Sequence, residues 1–260
     1  MCGKFRIMFN KINWINLILF SMCLNESYGF EVQACHHSSR HVPGVVSIIQ
    51  EHQYFRHHES SMYWKMSPYY LPQLTNASCS LASATMILNA LRSQEIQCSN
   101  QSLVTAQQIL QNSHPDWKNS VQENGPGVTL DQLGAFLTQL MHVYDLSPFK
   151  IEVVHLTHNK SINQFRQALV ESGITGQTFI LVNFDQKFMS GAQEDAGHFA
   201  PVGAYNAAEK RVLIMDPDRE YFEPYWVPEQ LLLESMQTKD PISDKNRGFI
   251  TITLGEGMSH

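Results

Sequence analysis

GHFAPVGAYNAAEKRVLIMD, residues 197–216, holds two short apolar runs, 199–205 and 211–215, joined by the polar turn 206–210. Such a pattern predicts a β-hairpin. Two further runs, 178–182 upstream and 249–254 downstream, have the same character, so four candidate strands lie beyond Gly176. The preceding half reads differently. Small and apolar residues in SLASATMILNALR, residues 80–92, are spaced for a buried helix that begins directly after Cys79. Past Pro115 and the turn Gly125-Pro126-Gly127, Thr129-Leu130-Asp131-Gln132 forms a capping-box pattern that opens an amphipathic helix to about Met141. Ser161 to Gln164 repeats the device for a helix reaching about Ser172, with Ile162, Phe165, Leu169 and Val170 on one face. Helices first and antiparallel-looking strands afterwards predict an α+β fold with segregated elements.

At the hairpin ends stand His198, which starts the first strand, and Asp216, which follows the second. In such a hairpin the two come opposite each other, so the carboxylate orients the imidazole. Cys79 lies at a helix N-terminus, where unpaired backbone N–H groups and the helix dipole favour a thiolate. Cys79 and His198 each have a bland reading when taken alone, as a packed small hydrophobe and a structural histidine. A helix-borne Cys, then a sheet-borne His, then a neighbouring Asp is nevertheless the order used by papain-like thiol enzymes, in which His takes the thiol proton and later protonates the leaving amine.

The rest of the chain bounds the chemistry. The formal charge of −6 becomes about −8 once residues 1–29 are set aside, since that stretch carries Lys4, Arg6 and Lys11 against Glu26 alone. Nucleic acid is therefore not an expected partner, because binding its phosphates needs a basic face. Residues 1–29 read as a signal peptide: three cations, an apolar run over 12–24, and Ser27-Tyr28-Gly29 before a cleavage point. That run is too short for a stable membrane span across about 30 Å of hydrocarbon, and Met22 before Cys23 argues against lipidation. The expected location is periplasmic or secreted. Three cysteines then remain, Cys35, Cys79 and Cys98; a Cys35–Cys98 disulfide that leaves Cys79 reactive is one arrangement, and free buried thiols are the other. Residues 30–61 form a polar N-terminal arm rich in histidine, with His36, His37, His41, His52, His57 and His58. Paired histidines without Cys or carboxylate at ligand spacing are a weak metal signal, so no metal site is assigned.

Two blocks are more specific. GHFAPVGAYNAAEKRVLIMDPDREYFEPYWVP, residues 197–228, leading on to Asn246-Arg247-Gly248-Phe249, and the segment 73–91 around Cys79 resemble the catalytic domain of phytochelatin synthases, the glutathione γ-glutamylcysteinyltransferases, and most closely their bacterial short forms. The likeness runs from about residue 63 to 252 and places a papain-like catalytic domain over 62–260. It implies that Cys79 is acylated by the γ-glutamylcysteinyl part of glutathione with release of glycine, and that His198 and Asp216 complete the triad. Gln73 matches a glutamine that shares the oxyanion with the Cys79 N–H. Asn183, Gly197 and Arg219 match substrate-side positions, and Arg219 faces the second thiol peptide. Asp240 and Arg247 match residues that hold the α-amino and α-carboxylate groups of the γ-glutamyl moiety, as a zwitterion requires.

Departures are visible too. Ser78-Cys79-Ser80 replaces the usual Tyr-Cys-Gly, and the chain ends at His260 without the long cysteine-rich region of plant members. The resemblance thus implies a peptidase and transferase that passes the acyl group to water or to a second glutathione. No cofactor is required; cadmium or zinc ions enter as thiolate complexes of the substrate. Glutathione and γ-glutamyl thiol peptides are the expected partners, and a homodimer is left open. The rival readings are a papain-like leader peptidase, for which the Asp240 and Arg247 pair has no evident use, and a non-catalytic exported metal-binding protein built around the histidine arm.

Overall fold

The computed structural model describes residues 40–94 and 102–255. The signal segment, His36, His37, Cys35 and Cys98 with their proposed disulfide lie outside the described residues.

Seven antiparallel strands form the main sheet. In chain order they are β1 (Val46–Ser47), β2 (Phe149–His155), β3 (Thr178–Asp185), β4 (Gly197–Asn206), β5 (Arg211–Ile214), β6 (Tyr225–Pro228) and, after a two-stranded ribbon of β7 (Lys239–Asp240) and β8 (Lys245–Asn246), β9 (Gly248–Leu254). Their spatial order is β1-β6-β5-β4-β3-β9-β2. The helices are α1 (Tyr54–His57), α2 (Ser61–Met66), α3 (Cys79–Arg92), α4 (Ala106–Asn112), α5 (Pro115–Ser120), α6 (Leu130–Val143), α7 (Asn159–Thr175), α8 (Lys187–Ser190) and α9 (Glu229–Met236). The fold is α+β.

The sheet is covered on both faces. Helices α3 and α6 pack on Phe179, Leu181, Phe199, Ile250 and Ile252, while α7 and α9 pack on Ile180, Val182, Phe184, Ala200 and Val202. Period-2 alternation of β3 therefore divides its side chains between two apolar layers, and the strand reads as an unbroken apolar run. All fourteen residues of α3 are buried. Its polar groups find partners: the Ser83 hydroxyl donates to the Phe199 carbonyl at 3.1 Å, and the Asn89 amide bonds the backbone N–H and C=O of Val104 at 2.9 and 2.8 Å.

Three local features differ from the sequence reading. Helix α7 opens at Asn159, because Ser161 is its third residue: the Ser161 hydroxyl accepts from the Thr157 and His158 N–H groups at 3.0 and 3.2 Å. It runs on to Thr175, where Gly176 (φ 63°) supplies the left-handed stop. Strands β1, β2 and β6 and the β7–β8 ribbon are additional. In β2 apolar Phe149, Ile151 and Val153 alternate with Lys150 and Glu152, which pair with each other at 2.9 Å. In β6 four residues ending in Pro228 are too few to show a period. Of the histidine-rich stretch, residues 46–47 supply β1, paired with β6.

The β4–β5 hairpin contains a β-bulge. Pairing runs Asn206↔Arg211, Tyr205↔Val212 and Ala204↔Leu213, then skips Gly203 to Val202↔Ile214. Continued without the extra residue, the ladder would set Asp216 opposite Pro201, on the face away from His198. With it, the Met215 N–H reaches the Pro201 carbonyl at 2.9 Å and Asp216 falls opposite Ala200, not opposite His198 as the plain hairpin reading has it, but the two share one face. The space here is tight: a Cβ at Gly203 would lie 2.9 Å from Leu213 Cδ2 and 3.0 Å from Met215 Cγ, so those side chains would have to shift.

Gly248, at the start of β9, is tighter still. A Cβ there would sit 2.0 Å from the Val154 carbonyl oxygen on the neighbouring β2, a backbone atom that cannot rotate away. Gly248→Ala is expected to lower unfolding stability by about 3 kcal/mol. Urea denaturation followed by circular dichroism checks this, and an unchanged midpoint would show that the β2–β9 pair has room to spread.

Candidate active site

The site forms where the start of α3 meets the ends of β4 and β5. Cys79 is the first residue of α3 and only 8% exposed. Before it the chain is folded by Ser78, whose hydroxyl accepts from the Leu74 and Thr75 N–H groups at 2.9 and 2.8 Å and donates to the Thr75 carbonyl at 3.0 Å. Ser80 beyond it accepts from the Trp117 indole at 3.2 Å. The two serines flanking the thiol thus organise the loop before it and the packing after it. The sulfur is left at a helix N-terminus.

His198 Nε2 lies 2.7 Å from Asp216 Oδ1, and Cys79 is near enough to act on the charge of the ring. Neither His198 nor Asp216 is open to water, at 4% and 0% exposure. Asp216 Oδ1 also accepts from the Asp218 N–H, and Oδ2 accepts from the Tyr225 hydroxyl, both at 2.9 Å. Tyr70 donates to the Asp216 backbone carbonyl at 2.5 Å. Sequence reasoning missed both tyrosines. Tyr225 stands in the quoted block, but only the return of β6 beside β5 brings its hydroxyl to the carboxylate.

Burial by itself pushes the His198 imidazole down, yet the Asp216 carboxylate, and after it Cys79, outweigh this and hold it well above its ordinary value. Burial pushes Asp216 up, and His198⁺ with the Asp218 and Tyr225 donors reverses that, leaving its carboxyl below the usual range. The two contributions to stability have opposite pH limits. The raised histidine contributes below its unfolded value and loses this as pH rises through the folded one. The lowered aspartate contributes above its unfolded value and loses this as pH falls through the folded one. The ion pair thus supports the fold between the acid carboxylate range and the raised histidine value.

Two cavities flank this centre. One, of about 320 Å³, is lined by Cys79, Asn183, Gly197, Asp240 and Arg247 among others. Arg247 is 3% exposed, its Nε has no partner, and the nearest acid, Asp240 Oδ1, stands 3.9 Å from Nη1. Its backbone is fixed on both sides, N–H to the Thr238 carbonyl and C=O from the Leu156 N–H, each at 2.9 Å. Asp240 is tied through Ser243 at 2.7 Å. Gly197 passes beside the guanidinium, where a Cβ would touch it at 3.4 Å. The buried Asn183 amide donates to the His198 carbonyl at 3.2 Å, which fixes the strand that carries His198.

The second cavity, of about 530 Å³, opens on the His198 side and is lined by Gln73, Asp218, Arg219 and Tyr221 among others. The Gln73 N–H donates to the Pro217 carbonyl at 2.8 Å, and its buried Oε1 has no partner. Arg219 lies over the Tyr70 ring, 4.7 Å from the centroid. The structure therefore gathers all nine candidate residues around one thiol and divides them. Asn183, Asp240 and Arg247 line the Cys79 side, Gln73 and Arg219 the His198 side, and Gly197 borders both. Among the described residues no three of His, Cys, Asp or Glu gather to hold a metal ion, and no helix is long and apolar enough to cross a membrane.

A family model described as phytochelatin synthase matches residues 22–249. The chain belongs to the phytochelatin synthase family. Among its relatives, glutathione γ-glutamylcysteinyltransferase 1 of Lotus japonicus is 25% identical over 199 residues, covering 74% of this chain and 36% of that protein. Glutathione γ-glutamylcysteinyltransferase 1 of Arabidopsis thaliana is 26% identical over 199 residues, with 74% and 37% covered. Glutathione γ-glutamylcysteinyltransferase 2 of Arabidopsis thaliana is 31% identical over a shorter 97 residues. The chain spans about a third of the length of the two relatives matched over 199 residues.

Replacing Asp216 by Asn removes the charge that offsets burial. His198 is then expected to titrate below the ordinary histidine range, whereas in the parent it stays protonated well above it. NMR titration of the His198 ring measures this directly. An unchanged value in Asp216→Asn protein would mean that another group holds the proton.

Proposed function

We propose that the chain is a cysteine-nucleophile acyltransferase and peptidase acting on glutathione. One observation carries the reading: a buried Arg247 with an unpartnered Nε, and Asp240 beside it, share a cavity with the thiol. A γ-glutamyl group ends in a carboxylate and an ammonium on one carbon, and a guanidinium with a neighbouring carboxylate offers both charges. Bound there, it would bring the carbonyl carbon of the substrate cysteine towards Cys79.

The Cys79 thiolate attacks that carbon, and the oxyanion is held by the Cys79 backbone N–H together with the Gln73 amide. Protonated His198 gives its proton to the nitrogen of the departing glycine, so the C–N bond breaks and a γ-glutamylcysteinyl thioester remains. Neutral His198 then takes a proton from the acceptor, and the acceptor's attack on the thioester restores the thiolate. Arg219 and Tyr221 border the cavity from which the acceptor enters. Water yields γ-glutamylcysteine, and the amine of a second glutathione yields a longer thiol peptide. The mechanism needs no metal on the protein; cadmium or zinc acts as a thiolate complex of the substrate. The exported form of the chain would meet its substrate outside the cytoplasm.

Incubation with glutathione, with and without zinc or cadmium, followed by mass spectrometry tests the assignment. Free glycine with γ-glutamylcysteine or longer thiol peptides is expected. Cys79→Ser protein that matches the parent would overturn it. Arg247→Lys keeps the charge but loses the planar fork, and is expected to raise KM about tenfold while kcat changes less. Gln73→Ala is expected to lower kcat about 10²-fold.

A further inference from the structure

The described end of the histidine-rich segment is pinned against the back of the triad. The Arg40 guanidinium donates to the Tyr221 carbonyl at 2.9 Å, the Val42 N–H to the Met189 carbonyl at 2.9 Å, and the Ser47 hydroxyl to Glu223 Oε1 at 2.7 Å. Arg211 returns a bond to the Gly44 carbonyl at 2.9 Å. Between these anchors the His41 ring stacks on Phe222, with centroids 5.2 Å apart, and leans on Tyr225 at 4.8 Å. Tyr225 is wholly buried and donates its hydroxyl to Asp216 Oδ2.

From this chain of contacts we propose that His41 is a positioning residue for the triad, holding the Tyr225 ring so that its hydroxyl meets the catalytic carboxylate. The proposal rests on the triad assignment and not on the identity of the substrate. A phenol hydroxyl lies at the far end of its ring from Cβ, so a small rotation of the ring displaces it most. His41 and Phe222 are the ring contacts that oppose such a rotation. The charged groups facing His41 are Glu223, Asp216 and Arg40. Burial lowers the affinity of the imidazole for a proton although Glu223 and Asp216 raise it, so the ring packs on the aromatics in its neutral form near pH 7.

A double-mutant cycle in the full chain tests this. Two readouts are used: the rate of Cys79 alkylation by iodoacetamide, which involves no substrate, and kcat and KM for glycine release from glutathione. His41→Ala is expected to lower the alkylation rate and kcat about tenfold with KM unchanged, the size of one weakened hydrogen bond to a charged group. His41→Phe keeps both ring contacts and is expected to recover most of the loss. In a Tyr225→Phe background, where the hydroxyl is already gone, His41→Ala is expected to add less than about a twofold further change. A full additive effect in that background, no effect in the parent, or a loss that Phe does not rescue would each overturn the proposal. If His41→Ala fails to fold, His41→Leu takes its place in the cycle. Should the glutathione reading itself fail, glycine release disappears in the parent too, while alkylation still decides the role of His41.

Discussion

Asp216 is a carboxylate wholly withdrawn from water, and an isolated buried charge is costly enough that it must be neutralised or paired. The surroundings supply His198⁺, the Asp218 N–H and the Tyr225 hydroxyl. Each donor comes from a different place in the chain, so the β4–β5 bulge, the turn after β5 and the return of β6 all have to be correct together. Removing one donor leaves the others to carry a charge they were arranged to share. A satisfied network of this kind specifies one geometry for its members, and the proposed triad relies on that geometry.

The same constraint explains how the layers are arranged. Helix α3 must run buried along the sheet to put its first residue beside His198, which is why its sequence is small and apolar on every side. The cost is a set of internal polar groups, Ser83 and Asn89 among them, which are satisfied by β4 and by the segment before α4. On the opposite face α7 and α9 close the second core, and the sheet is held rigid between two packed layers. His198 and Asp216 are mounted on this stiff element, while the cavity walls include loops such as residues 124–128 and 240–242. The division fits a site in which chemistry is fixed and recognition is adjustable.

Much of the site was legible from residue types and order. Cys79 before a helical run, His198 before a strand and Asp216 after the next strand can be read because each sits where a periodic pattern starts or stops. Resemblance to one family then picked out Gln73, Asn183, Gly197, Arg219, Asp240 and Arg247. The helix boundary at Asn159 was misplaced because a serine in a capping box serves equally well as cap or as third residue, and only the backbone geometry decides between them. Strand β2 went unread although it alternates, since two charges on its outer face masked the period. Strand β6 went unread because four residues are too few to show one.

Local pattern determined which residues belong to the main helices and strands, and hence the α+β class and the order of Cys79, His198 and Asp216. Tertiary structure decided how they meet. A one-residue bulge at Gly203 reverses which face of the sheet Asp216 points to, and no count along the hairpin anticipates it. The partition of substrate-side residues into two cavities, the unpartnered Nε of Arg247, and the line from His41 through Tyr225 to Asp216 are likewise absent from the sequence. The physical reason is common to all three: hydrogen bonds and ring contacts between residues far apart in the chain depend on register and on distances within a few tenths of an ångström. Periodicity constrains only the direction in which a side chain leaves its own element.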